Sequence, residues 1–368
     1  MVCVNGFRSA CCGVIDFNKL MMKILAIKNL TLNPADGIDN FTLAVFRRLN
    51  KANIRLFTSA HKGFKEFGSL EILKGSKLFF LLKEKPDYLW GIGAPKELFY
   101  LLFKPNKTRY VINFHTILIK KDGPWKVKTP WFLRKFIFLR ADLIICPSEF
   151  SAQSVKKYFP SKNVVSILNG VDLDLFSPSK KNKEYLAGKY QLNFFKPLVV
   201  FVGSLQPRKR PDLFIEIAKN YQKANFVMVG KQIPPHDFLG PVKDLKNFKW
   251  IEKMPREDIA ILFASSKIFV FPSLNEPSAA VILEAMASGC VPIISKSGGN
   301  PEFLKDDESG FLIDVNSEEK ENFIKKINLL ITDTNLLERI SKNARVEAEN
   351  NSWDKTAQEY QNVLIQNK

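Results

Sequence analysis

Short apolar runs alternate with amphipathic stretches along almost the whole chain. In its first half, apolar runs bounded by turn residues predict strands at 23–27, 54–57, 88–91, 110–114, 143–146 and 164–168. Between them, apolar residues recur at helical spacing, as at 40–49 and 148–158, and predict amphipathic helices. Strands and helices that alternate at this length are typical of a parallel sheet with helices on both faces.

The same alternation resumes in the second half of the chain after a polar interruption at 177–191. Strands are predicted at 198–202, 226–229, 248–251, 268–271 and 291–294, and helices at 211–221, 256–264, 277–288, 317–331 and 353–366. We therefore predict an α/β fold with two Rossmann-like domains, at 21–180 and 181–352, followed by a separate helix at 353–368. Ligands of such folds bind at the carboxyl ends of the strands, here in a cleft between the domains.

The first twenty residues contribute nothing to this pattern. They lack the compact apolar run of a signal peptide, and the strand MKILAIK begins directly after Met21, so residues 1–20 are interpreted as an extension outside the core. No run of about 18 uncharged apolar residues occurs, so no membrane-spanning helix is predicted. Five cysteines without CxxC spacing indicate reduced thiols and a cytoplasmic location; they are Cys3, Cys11, Cys12, Cys146 and Cys290.

The chain carries a formal net charge of +18 and has a sequence pI near 9.5. A field of this sign attracts polyanions, and a nucleoside diphosphate, an anionic membrane surface and nucleic acid all fit it. A lysine-rich, solvated surface without a specific partner explains the charge equally well. No zinc-finger spacing, RNP-type aromatic motif or basic zipper region occurs, so nucleic acid is not expected as a partner.

Basic and aromatic residues are interleaved at 118–140. Basic residues beside large aromatic rings suit the interface of an anionic bilayer, so one hypothesis is peripheral binding to the inner face of a membrane. A core helix with solvated lysines is an equally weighted alternative. The residues concerned are Lys120, Lys121, Lys126, Lys128, Arg134, Lys135 and Arg140, with Trp125, Trp131, Phe132, Phe136 and Phe138.

The strongest local signal is the segment 271–304, FPSLNEPSAAVILEAMASGCVPIISKSGGNPEFL. Pro277 suits a first helical position, and a helix beginning there presents the backbone N–H groups of Ser278, Ala279 and Ala280 to an anion. Glu276 and Glu284 are eight residues apart, which places both near one side of that helix. From this spacing alone, two glutamates on a solvated helix would be the simpler interpretation.

The wider string changes that interpretation because its parts occur in order over about four elements. It resembles the donor-binding signature of the retaining glycosyltransferases of family four, also called group 1, which have the GT-B fold. The resemblance extends to FVGSLQPRKRPDLFIEIAK, to ADLIICPSEFSAQSV and to LNGVDLDLFSP, and it covers essentially residues 22–366. It implies a donor-binding second domain and a final helix, beginning at Trp353, that packs back on the first domain.

The resemblance also implies roles for individual residues. Glu276 matches the glutamate that contacts the donor sugar near the reacting centre, and Glu284 matches the one that holds the ribose hydroxyls. Lys209 matches the lysine that pairs with the donor diphosphate. His115 resembles the histidine that faces the donor sugar across the cleft, and Gly37 matches the glycine-rich loop that closes on donor and acceptor.

The sequence departs from the family pattern at three places in the donor site. Gly203 is followed by Ser204 where the family often has Gly-Arg, so one usual diphosphate cation is absent, and Arg208 and Arg210 are the candidate replacements. Ser278-Ala279 stands where Phe-Gly is often found after the first glutamate and its proline. Asp36-Gly37 replaces a usual Gly-Gly and adds a carboxylate near the expected phosphate position.

The resemblance therefore implies transfer of a hexosyl unit from a UDP- or GDP-linked sugar to a glycan or lipid-linked glycan, with retention of configuration. Lys209 and the helix start would stabilise the charge of the departing diphosphate. No DxD-type acidic pair is placed in a loop, so no metal cofactor is expected. Two alternatives stay open: a nucleotide-sugar epimerase or hydrolase on the same scaffold, and a non-catalytic protein that binds anionic ligands through a degenerate donor site.

Overall fold

The computed structural model describes residues 22–27, 37–49, 54–58, 70–72, 76–119, 130–242 and 245–367. Two parallel sheets with flanking helices make up this part of the chain. The first sheet has seven strands in the order β3-β2-β1-β4-β5-β6-β7. They are β1 Met22–Ala26, β2 Ile54–Thr58, β3 Leu70–Ile72, β4 Tyr88–Gly91, β5 Arg109–Asn113, β6 Leu143–Cys146 and β7 Val164–Ser166.

Helices cover both faces of the first sheet, and we call this assembly the first lobe. Helices α2, α3, α4 and α5 bury one face of the sheet, where Leu81, Leu101, Ile137 and Val155 belong to one apolar cluster. Helix α1 lies against a second cluster on the sheet, to which it contributes Phe46. The helices are α1 Gly37–Leu49, α2 Lys77–Glu84, α3 Glu97–Leu102, α4 Trp131–Arg140 and α5 Glu149–Lys156.

The second sheet has six strands in the order β10-β9-β8-β11-β12-β13, and with its helices it forms the second lobe. Three of its strands, at 198–202, 268–271 and 291–295, are buried at every residue and read as nearly continuous apolar runs because both of their faces are covered. They are β8 Leu198–Val202, β9 Asn225–Val229, β10 Phe248–Ile251, β11 Ile268–Phe271, β12 Val291–Ser295 and β13 Phe311–Ile313. The helices are α6 Lys183–Tyr190, α7 Pro211–Asn220, α8 Arg256–Ser265, α9 Ala280–Ala287, α10 Glu319–Thr332 and α11 Thr334–Asn350.

The last helix, α12 Trp353–Gln366, follows the second lobe in sequence but packs on the first. It lies against α1, and its Trp353, Tyr360 and Leu364 are buried in the apolar cluster of the first lobe. The buried Tyr360 hydroxyl donates to Asn113 Oδ1 at 3.0 Å, and Tyr88 donates to the Leu364 carbonyl oxygen at 2.6 Å. The two ends of the described chain are thereby joined in one core.

The alternating architecture predicted from the sequence is confirmed, but several elements differ. Helix α9 begins at Ala280, three residues after the predicted start at Pro277. The polar stretch 177–191, interpreted from the sequence as an interruption between the two domains, contains a 3-10 turn and α6, whose Leu186 is buried. Strands β3 and β13 and helices α2, α3 and α11 were not predicted, and α4 corresponds to the core helix that was one of two interpretations of 118–140.

Candidate active site

The two sheets face each other through their carboxyl edges. Ser148, which follows β6, donates to the Pro277 carbonyl oxygen at 2.5 Å, and Asn169, which follows β7, donates to Ser278 Oγ at 3.0 Å. Pro277 and Ser278 lie in the loop after β11. Since loops after parallel strands carry the ligand-binding groups of open α/β sheets, the region between these edges is the candidate site.

A buried ion cluster lies on the second-lobe side of this region. Both Arg208 and Lys209 contact the carboxylate of Glu276: Arg208 Nη1 pairs with Oε2, and Lys209 Nζ lies 2.9 Å from Oε1. Ser273 Oγ donates to the same carboxylate at 2.8 Å. The Lys209 ammonium also lies 4.9 Å from the centre of the Phe271 ring. The structure thus brings together three of the residues that the sequence predicted for the donor site.

Local backbone structure explains why these side chains converge. A 3-10 turn, Pro207–Lys209, carries both cations in the loop that follows β8. The carbonyl oxygen of Arg208 accepts from the Leu274 N–H at 2.9 Å, which joins this turn to the loop after β11. A Cβ atom on Gly203 would lie 3.1 Å from Lys209 Cδ, so the absence of a side chain there leaves room for the lysine stem.

The charge balance of the cluster favours the ionised carboxylate. Burial acts to raise the pKa of Glu276, but the charges of Lys209 and Arg208 outweigh it, so the pKa lies below its ordinary value. For Lys209, burial is the largest effect and lowers the pKa of the ammonium, against the opposing pull of Glu276. Two cations on one carboxylate leave a net positive charge, which suits an anionic ligand such as a diphosphate.

Glu284 lies apart from this cluster in a pair of its own. Its Oε1 accepts from Arg256 Nη2 at 2.6 Å, and the Arg256 guanidinium lies 5.3 Å from the centre of the Phe176 ring. Burial raises the pKa of Glu284, while Arg256 acts in the opposite direction and Asp172 adds to the increase. Arg256 was missed by the sequence reasoning, which recognised it only as the start of a helix.

The backbone at the start of α9 differs from the prediction. Ser278 and Ala279 precede the helix, and the Ala279 N–H donates to Asn300 Oδ1 at 3.2 Å. That N–H therefore has a partner within the protein, whereas the sequence assigned it to an anion. Of the three predicted donors, only Ala280 belongs to α9 itself, where the first-turn N–H groups and the helix dipole favour negative charge.

The first lobe contributes His115, which follows β5 at the carboxyl edge of the sheet. Its imidazole is half-buried and packs edge-on against Phe41 of α1, with ring centres 4.3 Å apart. Gly37 is the first residue of α1. Asp36, the extension 1–20, and the basic and aromatic residues at 120–129 lie outside the described residues, so the predictions made for them stay predictions.

The described residues also bear on metal binding and on membrane crossing. No group of three or more His, Cys, Asp or Glu residues there could hold a metal ion. Within the same ranges, every helix is too short or too polar to cross a bilayer.

Comparisons with known proteins agree with this arrangement. Residues 183–347 match the family model for glycosyl transferases group 1, and residues 76–175 match that for glycosyltransferase family 4. The sulfoquinovosyl transferase SQD2 of Arabidopsis thaliana is 28% identical over 261 residues, which are 66% of this chain and 49% of that protein. The UDP-Gal:alpha-D-GlcNAc-diphosphoundecaprenol alpha-1,3-galactosyltransferase of Escherichia coli is 31% identical over 220 residues, 55% of this chain and 54% of that one.

The chain therefore spans about half the length of these curated relatives. Among solved structures, Anabaena HepE in complex with UDP and glucose superposes with a TM-score of 0.71 at 18% identity, covering 94% of this chain and 100% of that chain. At this identity the likeness concerns the fold, and it confirms the predicted GT-B arrangement of two Rossmann-like lobes.

Proposed function

Because this chain belongs to the group 1 glycosyltransferases, we propose that it transfers a hexosyl unit from a nucleoside diphosphate sugar to a glycan or lipid-linked glycan. The observation that carries this proposal is the buried contact of Arg208 and Lys209 with Glu276, beside the start of α9. Two cations placed together at the carboxyl edge of a sheet form a site for a diphosphate. We include retention of configuration and independence from metal ions in the proposal.

In the proposed reaction, the bond between the anomeric carbon and the diphosphate oxygen breaks as the acceptor oxygen bonds to the same carbon. The acceptor proton passes to the departing phosphate oxygen, so no separate base is consumed. Lys209 and Arg208 stabilise the charge that develops on the leaving group, where fixed cations in a water-poor site act most strongly. Glu276 and His115 contact the sugar from opposite lobes, and Glu284 holds the ribose hydroxyls.

Donor binding requires the cations to leave Glu276 in part, since a diphosphate and the carboxylate compete for the same N–H groups. Arg208 takes the place of the arginine missing at Ser204, because its guanidinium already lies beside Lys209 on one carboxylate. We propose UDP as the nucleotide to test first, since one relative is named for UDP-galactose and one fold neighbour binds UDP.

Calorimetric titration with UDP, GDP and their hexose conjugates tests the donor site. Lys209→Ala and Arg208→Ala each remove a charge-assisted hydrogen bond. For the nucleotide that wild-type protein binds, we expect each variant to lose affinity by about 10- to 150-fold. Lys219→Ala, an exposed lysine of α7, is the matched control and should bind normally. Binding of no nucleotide by the wild type would favour the non-catalytic alternative. A changed nucleotide sugar released without acceptor would favour the epimerase or hydrolase.

The lipid-linked acceptor rests on a separate surface, the outer face of α2, α3 and α4. These helices bury their inner residues in one apolar cluster, yet expose large apolar side chains outward, with Phe79, Leu102 and Phe132 being 67%, 70% and 69% exposed. The other members of this outer face are Leu82, Phe99, Phe103, Phe136 and Leu139. Trp131, Arg134 and Phe138 of the predicted patch are half-buried or buried, so for them the core-helix interpretation was right.

The charges around this outer face select an anionic partner. Exposed cations on or beside the three helices are Lys83, Lys85, Lys96, Lys135 and Arg140. The two carboxylates of α2 and α3 are compensated or hidden: Glu84 pairs with Lys23 at 3.0 Å, and Glu97 is buried. Apolar side chains flanked by cations suit the interface of an anionic bilayer. We therefore place the acceptor at a membrane surface.

Sedimentation with vesicles tests the membrane surface. Wild-type protein should bind phosphatidylglycerol vesicles at low salt and bind less to phosphatidylcholine vesicles. Leu102→Ser combined with Phe132→Ser should reduce binding at least several-fold, because each change removes an apolar anchor. Phe195→Ser, which changes a 98% exposed ring on the second lobe, is the control. Equal sedimentation of both variants, or none by the wild type, would refute the surface.

A further inference from the structure

Glu302 of the second lobe contacts a helix of the first lobe. Its Oε2 accepts from the Glu149 N–H at 2.7 Å, and its Oε1 accepts from the Phe150 N–H at 2.9 Å. These are the first two residues of α5, and the helix start is completed by Ser148 Oγ, which accepts from the Ser151 N–H at 3.1 Å. A carboxylate at this position satisfies unpaired N–H groups and interacts favourably with the helix dipole.

The segment that carries Glu302 also contacts the loop of Glu276. The Gly299 N–H donates to the Glu276 carbonyl oxygen at 2.8 Å, and the buried Asn300 accepts from the Ala279 N–H. A Cβ atom on Gly299 would lie 2.3 Å from the Pro277 carbonyl oxygen, so the two backbones approach as closely as glycine permits. Residues 298–302 therefore connect the Glu276 loop directly to Glu302.

Three hydrogen bonds from this region would break if the lobes separated at α5. Two are the bonds of Glu302, and the third joins Ser148 Oγ to the Pro277 carbonyl oxygen. All three lie at the carboxyl edges, next to the candidate donor site. Glu302 itself is exposed to solvent, so its bonds are exchangeable with water and can form and break as the lobes move.

We infer that Glu302 is a positioning residue that fixes the Glu276 loop against the first lobe by binding the start of α5. We call the contact of its carboxylate with the Glu149 and Phe150 N–H groups the Glu302 clamp. When the clamp forms, the loop that carries Glu276 is held at a defined place relative to the first lobe, which contributes His115. The clamp is formed by groups of this chain alone, and only its effect on transfer rests on the proposed function.

Hydrogen exchange of the two α5 amides tests the clamp without any substrate. In Glu302→Ala, both N–H groups lose their acceptor, so their exchange should accelerate about three- to thirty-fold, as expected for loss of a helix cap. Glu302→Gln keeps one acceptor oxygen and should lie between Glu302→Ala and wild type. Glu338→Ala removes an exposed carboxylate of α11 and should leave both amides unchanged. Unchanged exchange in Glu302→Ala would overturn the clamp.

Kinetics separate positioning from simple stabilisation. Glu302 does not touch the ion cluster, so Glu302→Ala should bind UDP within about twofold of wild type while kcat falls about tenfold, with partial rescue in Glu302→Gln. An unchanged kcat, or a loss of UDP affinity as large as the loss of kcat, would overturn the positioning role. If wild-type protein transferred no sugar, the proposed function would fail, whereas the exchange result would still decide the clamp.

Discussion

Replacing Gly298 with alanine should place a methyl group where the Glu276 loop already lies. Gly298 has φ +70°, a conformation that L-residues rarely adopt. A Cβ atom built there would lie 2.4 Å from the carbonyl oxygen of Glu276 and 2.7 Å from its nitrogen. Both neighbours are backbone atoms, which cannot turn aside as a flexible side chain would.

Two costs follow from this geometry. Left-handed backbone costs a non-glycine residue about 1–2 kcal/mol, which lowers Tm by roughly 2–8 °C in a lobe of this size. To restore an ordinary contact of 3.4 Å from 2.4 Å, the Glu276 loop must also move by about 1 Å. A displacement of about 1 Å at a reacting centre can cost about 100-fold in rate. We therefore expect Gly298→Ala to lower the Tm modestly and to reduce the rate of sugar transfer by a large factor, about 100-fold.

Gly188→Ala is the matched control for this substitution. Gly188 lies inside α6, and a Cβ atom there would meet nothing within 4 Å, so alanine should stabilise the helix by about 0.5–1 kcal/mol. Thermal unfolding and a sugar-transfer assay of both variants give the two measurements. The reasoning is refuted if Gly298→Ala matches wild type in Tm and in the rate of sugar transfer, or if both alanine variants shift Tm in the same direction.

Three further predictions concern buried groups. The folded pKa of Glu276 lies below the unfolded value. The ionised carboxylate therefore contributes its full stabilisation above about pH 4.3, and this stabilisation is lost as the pH falls through the folded pKa. We expect the Tm difference between wild type and Glu276→Gln to shrink on acidification. Tyr360→Phe leaves the buried Asn113 Oδ1 without this donor and should lower the free energy of urea unfolding by about 1–3 kcal/mol. Burial raises the pKa of Cys146 to about 12 and also raises that of Cys290, so peptide mapping after iodoacetamide treatment should find both thiols unmodified in folded protein and modified in urea.

The sequence predicted most strands well because of how parallel sheets are buried. Strands such as β8 and β11 are covered on both faces, so they appear as continuous apolar runs whose ends are sharp. The helices were harder to predict from the sequence. Helix α4 exposes Phe132 and Phe136 and buries Arg134, so its pattern of apolar and basic residues does not separate an inner from an outer face.

The sequence identified the residues of the candidate site better than it identified the contacts between them. Lys209, Arg208 and Glu276 were identified from the motif string, yet their mutual pairing depends on two loops that are about 70 residues apart in sequence. The start of α9 was misplaced because Pro277 suits a first helical position, whereas Asn300 holds the Ala279 N–H outside the helix. Arg256 gave no local signal, and Glu302 belonged to the recognised string without a predicted role, since each acts on a partner in another element.

The position of α12 has a consequence for how the protein is made. The first lobe is synthesised first, but Trp353, Tyr360 and Leu364, which complete one of its two apolar clusters, leave the ribosome only after the whole second lobe has been synthesised. Until then, α1 and the sheet face beneath it lack their cover, so exposed apolar surface persists throughout translation of the second lobe. The second lobe, although translated later, can therefore finish folding before the first lobe does. Until α12 docks, the first lobe exposes the kind of apolar surface that chaperones bind.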